Sequence, residues 1–220
     1  MMEPRALPGL AGRAALLVLL AALAGGVAHA GRATDPARRL EAFLHGLTSL
    51  RADFRQSVVD DRGQVLQRSR GTLYLQRPGR FRWDYRAPSE LIVADGRNLW
   101  FYDRGLEQIT VRPLRRGLGN LPVALLTSER SVEKRFHVAE AGTADGLHWL
   151  RLTPRGKESG FEWIRLGFRG DLLVRMELHD SLGQTTRIRF SHVRRNPKLD
   201  PALFRFTPPP GVDVAGTPQP

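Results

Sequence analysis

Leu73-Tyr-Leu-Gln-Arg-Pro-Gly-Arg-Phe-Arg-Trp-Asp-Tyr85 is the stretch on which the fold turns. From Arg80 to Tyr85 the alternation is strict: Phe81, Trp83 and Tyr85 share one side, Arg82 and Asp84 the other. A period of two marks a strand with one wet face and one dry face. Upstream, Leu73 and Leu75 define a second dry face, and the next residue in that phase is Arg77. Pro78 then ends the ladder, because it has no N–H to donate. A guanidinium at the end of a dry face is the oddity that the rest of the chain has to accommodate.

Working outward, the same grammar repeats. Ala52–Asp60 and Val65–Gln76 flank the turn Asp61-Arg62-Gly63; Leu91–Ala94 ends at Asp95-Gly96; Asn98–Tyr102 ends at Asp103-Arg104-Gly105; Gln108–Arg112 ends at Pro113. Asp-Gly between alternating runs is a strong hairpin signal. Five more strands are predicted at Phe136–Ala141, Leu147–Thr153, Phe161–Phe168, Leu172–His179 and Thr185–Val193. About eleven antiparallel strands and few helices predict a mainly β barrel or strongly curved sheet.

Two helices are expected to cover it. Asp35-Pro36 suits a helix start, and Leu40, Phe43, Leu44, Leu47, Leu50 and Phe54 follow at helical spacing. The Gly-rich, basic segment Leu114–Leu121 leads to a short apolar helix at Pro122–Leu126. One helical turn is expected at Pro201–Phe204, before a polar tail.

The first thirty residues stand apart. Arg5 and Arg13, the apolar run Ala14–Val27 and Ala28-His29-Ala30 read as a secretory signal peptide cleaved after Ala30. Residues 31–220 then form one exported barrel domain. The absence of cysteine excludes disulfides, thiolate metal sites and thiol nucleophiles. The net charge is +12, falling to +11 without residues 1–30, and lysine occurs only at 134, 157 and 198. The arginines are scattered along strands, which reads as the solvent face of a sheet and not as a nucleic-acid site.

Enzyme readings find no support. There is no G-x-S-x-G, H-E-x-x-H or P-loop pattern, and the histidines lack metal-ligand spacing. Asp60-Asp61, His179-Asp180 and Arg169-Gly170-Asp171 all fall at turns between strands. No catalytic residue, metal or cofactor is expected. What remains is a surplus of apolar side chains. Leu73, Leu75, Phe81, Trp83 and Tyr85 form one dry face; Leu172, Val174, Met176 and Leu178, then Ile188 and Phe190, form another. Under a helical lid this interior is either plain core or a cavity. Inward Arg77 and the Leu114–Leu121 segment suit the latch and hinge of a cavity.

Several segments, in order, then resemble one family. Gln76-Arg-Pro…Phe81-x-Trp-x-Tyr…Pro88, Val93-x-Asp-Gly-x-x-Leu-Trp-x-Tyr-Asp103 and Leu106-x-Gln108 are similar to the periplasmic outer-membrane lipoprotein carriers, the LolA family. Leu114…Gly119-Asn120-x-Pro122 and Phe204-x-Phe-Thr-Pro-Pro-x-Gly211 agree. The resemblance covers roughly Pro36 to Val214. It implies an unclosed barrel of about eleven strands around an apolar cavity, lidded by helices, that holds the acyl chains of lipoproteins. Such a carrier takes its cargo from an ATP-driven inner-membrane transporter and delivers it to an outer-membrane receptor. On this resemblance Leu73, Leu75, Phe81, Trp83, Tyr85, Leu40, Leu44, Leu47, Met176 and Ile188 line the cavity. Arg77 falls on the family's latch, and Phe81, with Arg80 and Arg82 around it, on the docking rim. The protein is expected to be a monomer with no nucleic-acid partner. The alternative is a carrier of the same fold for another lipid, such as a glycolipid. The tail Val214–Pro220 departs from the family pattern and is expected to matter little.

Overall fold

Ser49–Val59 forms β1, and every other strand of the computed structural model takes its place from it. The structure describes residues 36–114, 121–127, 132–156 and 160–220. To one side the chain meanders outward through β2 (Val65–Gln76), β3 (Arg80–Ala87), β4 (Glu90–Asp95), β5 (Asn98–Asp103) and β6 (Gln108–Pro113). It then starts again at the far edge with β7 (Phe136–Ala144) and returns through β8 (Leu147–Pro154), β9 (Phe161–Arg169) and β10 (Leu172–Asp180). The last of this series, β11 (Thr185–Arg195), pairs with β1. A short β12 (Asp213–Ala215) runs parallel to β6. The sheet has twelve strands, and its outer members, β12 and β7, do not pair with each other. The barrel is therefore unclosed.

This connectivity dictates the lid. Between β6 and the edge strand β7 the chain must pass from one side of the sheet to the other. On that passage lie α2 (Ala124–Thr127) and a 3-10 turn, Val132–Lys134. Val123, Leu125, Leu126 and Val132 are buried in the same apolar cluster as the inner face of the sheet. So are Leu40, Phe43, Leu44 and Leu47, from α1 (Pro36–His45) and the turn after it. A fully buried aliphatic side chain contributes roughly 1.5–3 kcal/mol, so each helix is seated mainly by its apolar face. No helix among the described residues is long and apolar enough to cross a membrane.

The helical stripe expected to reach Phe54 stops at His45. Leu50, Ala52 and Phe54 lie in β1, inner-facing at a spacing of two. Leu50 and Phe54 fit either period, and pairing with β2 and β11 decides for the strand. A second correction concerns β10. Leu172 is exposed and Leu173 is buried, because the register shifts between Leu173 and Arg175 before Met176 and Leu178 turn inward. That bulge breaks the uninterrupted phase expected for Leu172, Val174, Met176 and Leu178. The tail is the third: it supplies β12 and packs on the sheet. The expected turn at Pro201–Phe204 is a 3-10 helix capped by Asp200, which accepts from the Ala202 N–H.

The sheet carries apolar clusters on both faces. The larger lies inside, under α1 and α2. The smaller is formed by Leu91, Val93, Trp100, Ile109 and Val111 on the outer side of β4 to β6, with Phe206 and Val212 of the C-terminal segment packed against it. Gly71 shows how tight the inner packing is. A Cβ there would lie 1.9 Å from the Asp84 carbonyl oxygen and 2.9 Å from the Phe54 ring, so the position takes no side chain.

Candidate functional site: the lidded inner face

The inner face of β1 to β3 is aromatic. Phe54 meets Trp83 and Tyr85 edge-on at 5.2 and 5.1 Å between ring centroids, and Trp83 stacks on Tyr85 at 6.2 Å. Edge-on and offset rings are the preferred geometry for such pairs. Of the residues singled out from the sequence, Leu40, Leu44, Leu47, Leu73, Leu75, Phe81, Trp83, Met176 and Ile188 are buried in this one cluster. Tyr85 packs half-buried at its border. Burial, together with the negative charge of Glu90, pushes the Tyr85 phenol well above its ordinary range, against a hydrogen bond from Gln56. The Tyr85 hydroxyl therefore stays neutral.

Three polar atoms interrupt the apolar surface. Trp83 Nε1, Gln56 Oε1 and Ser69 Oγ are buried without a hydrogen-bond partner among the described residues. Gln56 and Ser69 sit directly opposite each other on β1 and β2. An unmet buried polar group costs about 1–3 kcal/mol, so this end of the inner face is not tuned for packing alone.

Arg77 leaves the end of β2 in phase with Leu73 and Leu75. Its Nε donates to the Leu126 carbonyl of α2 at 2.8 Å, and its Nη1 to the Leu44 carbonyl of α1 at 2.8 Å. The Arg77 backbone N–H donates to the Thr48 carbonyl at 2.8 Å. The last carbonyls of a helix have no partner within it, and its C-terminus favours a cation. One side chain thus ties the sheet to both helices through carbonyls at their C-terminal ends, the Leu44 carbonyl also accepting from the Leu47 N–H at 3.2 Å.

The sequence reading missed a second set of anchors. Arg195, at the end of β11, donates from Nη2 to the Phe43 carbonyl at 2.9 Å and lies 5.1 Å over the Phe43 ring. Asn196, with φ of 55°, accepts from the Thr48 and Ser49 N–H groups at 2.9 and 3.3 Å and donates to the Gly46 carbonyl at 2.7 Å. Asn-Pro at 196–197 was legible as a turn, but its partners lie about 150 positions away in the chain. Arg195 and Asn196 hold α1 and its following turn to β11. Arg77 alone among these three reaches α2.

The docking rim needs a correction. Phe81 is fully buried, so in this conformation it presents nothing to a partner. Its burial follows from the pleat, which places it against Leu75 and Ala94 on the neighbouring strands. Arg82 is engaged by the Asp84 carboxylate at 3.1–3.2 Å, which also binds Arg104. Arg80 is the exposed member of the three. Residues 115–120 of the expected hinge, and Asp35, lie outside the described residues, as does the segment read as a signal peptide. Among the described residues no three metal-ligating side chains gather.

Comparison with known proteins is consistent along the chain. Residues 45–207 match the family model described as outer membrane lipoprotein carrier protein LolA. An outer-membrane lipoprotein carrier protein of Methylococcus capsulatus is 44% identical over 199 residues, covering 90% of this chain and 95% of that one. One from Dechloromonas aromatica is 46% identical over 191 residues, covering 86% and 90%. A crystal structure of a LolA superfamily protein from Nitrosomonas europaea superposes with a TM-score of 0.45 at 12% identity, covering 78% of this chain and 98% of that one. That superposition is too distant to argue from.

Proposed function

The chain belongs to the outer membrane lipoprotein carrier (LolA) family, and from that premise we propose that its lidded inner face is the cavity that takes the acyl chains. The protein is a periplasmic lipoprotein carrier. The observation that supports this cavity is Arg77, one charged side chain closing α1 and α2 over an aromatic and aliphatic surface.

Magnitudes favour a lid that opens. Lifting Val123, Leu125 and Leu126 off the sheet exposes three aliphatic side chains, at a cost of roughly 5–9 kcal/mol if none is reburied. An acyl chain returns about 0.8 kcal/mol per buried CH₂, so roughly 6–11 methylenes offset the opening. Three full chains would give roughly 36 kcal/mol, beyond the practical ceiling of about 20 kcal/mol for non-covalent affinity. The lid's cost keeps the binding reversible, as a carrier requires.

In this reading the mature chain starts after Ala30 and works as a monomer. It receives acylated lipoprotein from an ATP-driven inner-membrane transporter, with Arg80 at the contact corner, and passes it to an outer-membrane receptor. An environment-sensitive fatty-acid probe tests the cavity. It should bind the mature protein one-to-one, and Leu75→Glu or Trp83→Glu should abolish binding while far-UV circular dichroism is retained. Probe binding untouched by both would overturn the cavity. Mass spectrometry of lipid carried by protein purified from the periplasm separates lipoprotein from a glycolipid cargo.

A further inference from the structure

At the end of the sheet remote from Arg77, two hairpin tips lie side by side. Val59 of β1 pairs with Val65 of β2 on one side and Thr185 of β11 on the other. A methyl group at Gly183 would lie 3.7 Å from the Asp61 side chain. Both tips use the same turn. Asp60 Oδ1 accepts from the N–H groups of Arg62 and Gln64 at 3.1 and 2.7 Å; Asp180 Oδ1 accepts from those of Leu182 and Gln184 at 3.0 and 2.9 Å. The carboxylates satisfy the tip amides and leave the side chains free. Those side chains are apolar where a solvated tip has no need of it: Leu182 is 82% exposed, Leu66 55% and Val65 41%.

Behind the tips the outer face is basic in an ordered way. Arg70, Arg55, Arg189 and Arg175 stand directly opposite one another on β2, β1, β11 and β10. Like charges in direct cross-strand register destabilise a sheet. None of the four has an ion pair or side-chain hydrogen bond among the described residues. Burial and then the charge of Arg189 pull the Arg175 pKa below its ordinary value, with Asp145 and Glu177 opposing. The next outer row toward the tips holds Arg68 and Arg187 on either side of Ser57. The acids nearby are Glu177, directly opposite Arg187 and bound to Arg165 at 3.1 Å, Asp53, two residues before Arg55 on β1 and engaged by Thr72 and His192, Asp145 beside Arg175, and Asp61 at the tip. The Ser57 and Arg55 rows lie roughly 7 and 13 Å from the tips at 3.3 Å per residue.

We propose that this end of the sheet docks on an anionic phospholipid bilayer, with Leu182, Leu66 and Val65 entering the headgroup layer and the arginine rows lying over lipid phosphates. Exposed aliphatic tips backed by unpaired guanidinium groups match the two components of an interfacial membrane contact, apolar insertion and attraction to acidic lipid. A tilt of the outer face toward the bilayer brings the rows within about 8 Å of the phosphates, the Debye length at physiological salt. An acidic protein is the weaker fit, because the outer-face aromatic nearest the tips, Trp163, is already stacked on His179 at 5.0 Å and covered by Arg151 at 5.3 Å. It is not a free anchor of the kind around which protein hot spots form. The docking site is separate from the inner face and stands whether or not that face carries acyl chains.

Co-sedimentation of the full mature chain with vesicles tests it. Binding is expected to vesicles of equal parts phosphatidylglycerol and phosphatidylcholine, to fall as salt rises, and to be weak on phosphatidylcholine alone. Arg55→Ser and Arg189→Ser should each weaken it about fivefold, and the pair Leu66→Ser with Leu182→Ser should weaken it further while leaving the salt dependence. All four positions are exposed, and circular dichroism checks that the fold is kept. Equal binding to both vesicle types, binding to neither, or variants that bind as wild type would overturn the proposal. So would capture on immobilised polyglutamate without vesicle binding, which would give the arginines to an acidic protein instead.

Discussion

Two apolar surfaces of this sheet are covered by elements from outside it, and the covers are fastened by different means. On the outer side the C-terminal segment lies over β4 to β6. It is fixed by aromatic contacts of Phe206 with Trp100 and Tyr102, by the β12–β6 ladder, and by a reciprocal pair of hydrogen bonds between Asn98 and the Gln219 backbone at 2.8 and 3.0 Å. On the inner side α2 has a four-residue span, a short apolar seat and the Arg77 bond. A cover zipped by backbone pairing must unfold to leave. A short helix seated on an apolar face and bonded by one long side chain has no backbone ladder to unzip. In the proposed reading the outer cover stays and the inner one lifts.

Trp100→Ala should strike the comparison hardest. It removes the centre of the outer cluster and the indole N–H bond to Asp95 Oδ2 at 2.9 Å, and should cost about 3–5 kcal/mol in chemical denaturation. Fatty-acid probe affinity of the folded fraction should not change. A parallel loss of probe affinity would mean that the two covers are coupled through the sheet.

Asn98→Ala comes next. Three side-chain hydrogen bonds are lost, two to the Gln219 backbone and one to Asp95 Oδ2 at 3.4 Å. That predicts about 1.5–4.5 kcal/mol, and hydrogen exchange should then show β12 opening without global unfolding. If exchange in β12 matched wild type, the ladder alone would be holding the tail.

Arg77→Leu should change stability by only about 1 kcal/mol, since the leucine recovers by burial part of what the two bonds to carbonyls supplied. Its effect should fall on function: probe affinity kept or raised, and transfer to the outer-membrane receptor slowed. Arg77→Lys keeps the charge but not the planar fork, so its transfer rate should be intermediate. Delivery at the wild-type rate by Arg77→Leu would reduce Arg77 to a strand-end arginine.

The smallest effect is acidic. Burial works against the Asp95 carboxylate, but N–H donors from Asn98, Trp100 and Arg97 outweigh it and hold the pKa below the usual range. A depressed carboxylate stabilises the fold above its unfolded pKa of about 4 and loses that contribution as pH falls through the lower folded value. Asp95→Asn should therefore flatten the stability profile below about pH 4 and leave the profile at neutral pH level. An unchanged acid limb would assign it to Asp53. There burial again opposes the charge, and hydrogen bonds from His192 and Thr72 and the charge of Arg51 outweigh it.

How far each region was legible follows from how many of its faces are wet. In β3 one face is dry, so Phe81 and Trp83 announced the inside. In β4, Leu91 and Val93 belong to the outer cluster while Ala94 belongs to the inner one. No alternation survives there, and a run of four apolar residues cannot say which cover each will meet. The aromatic face, the Arg77 phase and the Asp-Gly hairpins were local, and local pattern carried them.

The sequence by itself determined the strands, their turns and the inward charge at residue 77, because backbone pleat and turn chemistry act over a few residues. Only the tertiary structure decided that the helix stops at His45 and the strand begins at Ser49, and that β10 carries a bulge. It also decided that the tail is part of the sheet, and that Arg195 and Asn196 hold α1 from about 150 positions away. Those outcomes depend on which strands become neighbours, and neighbours in this sheet are set by a chain that leaves β1 on one side and comes back to it on the other.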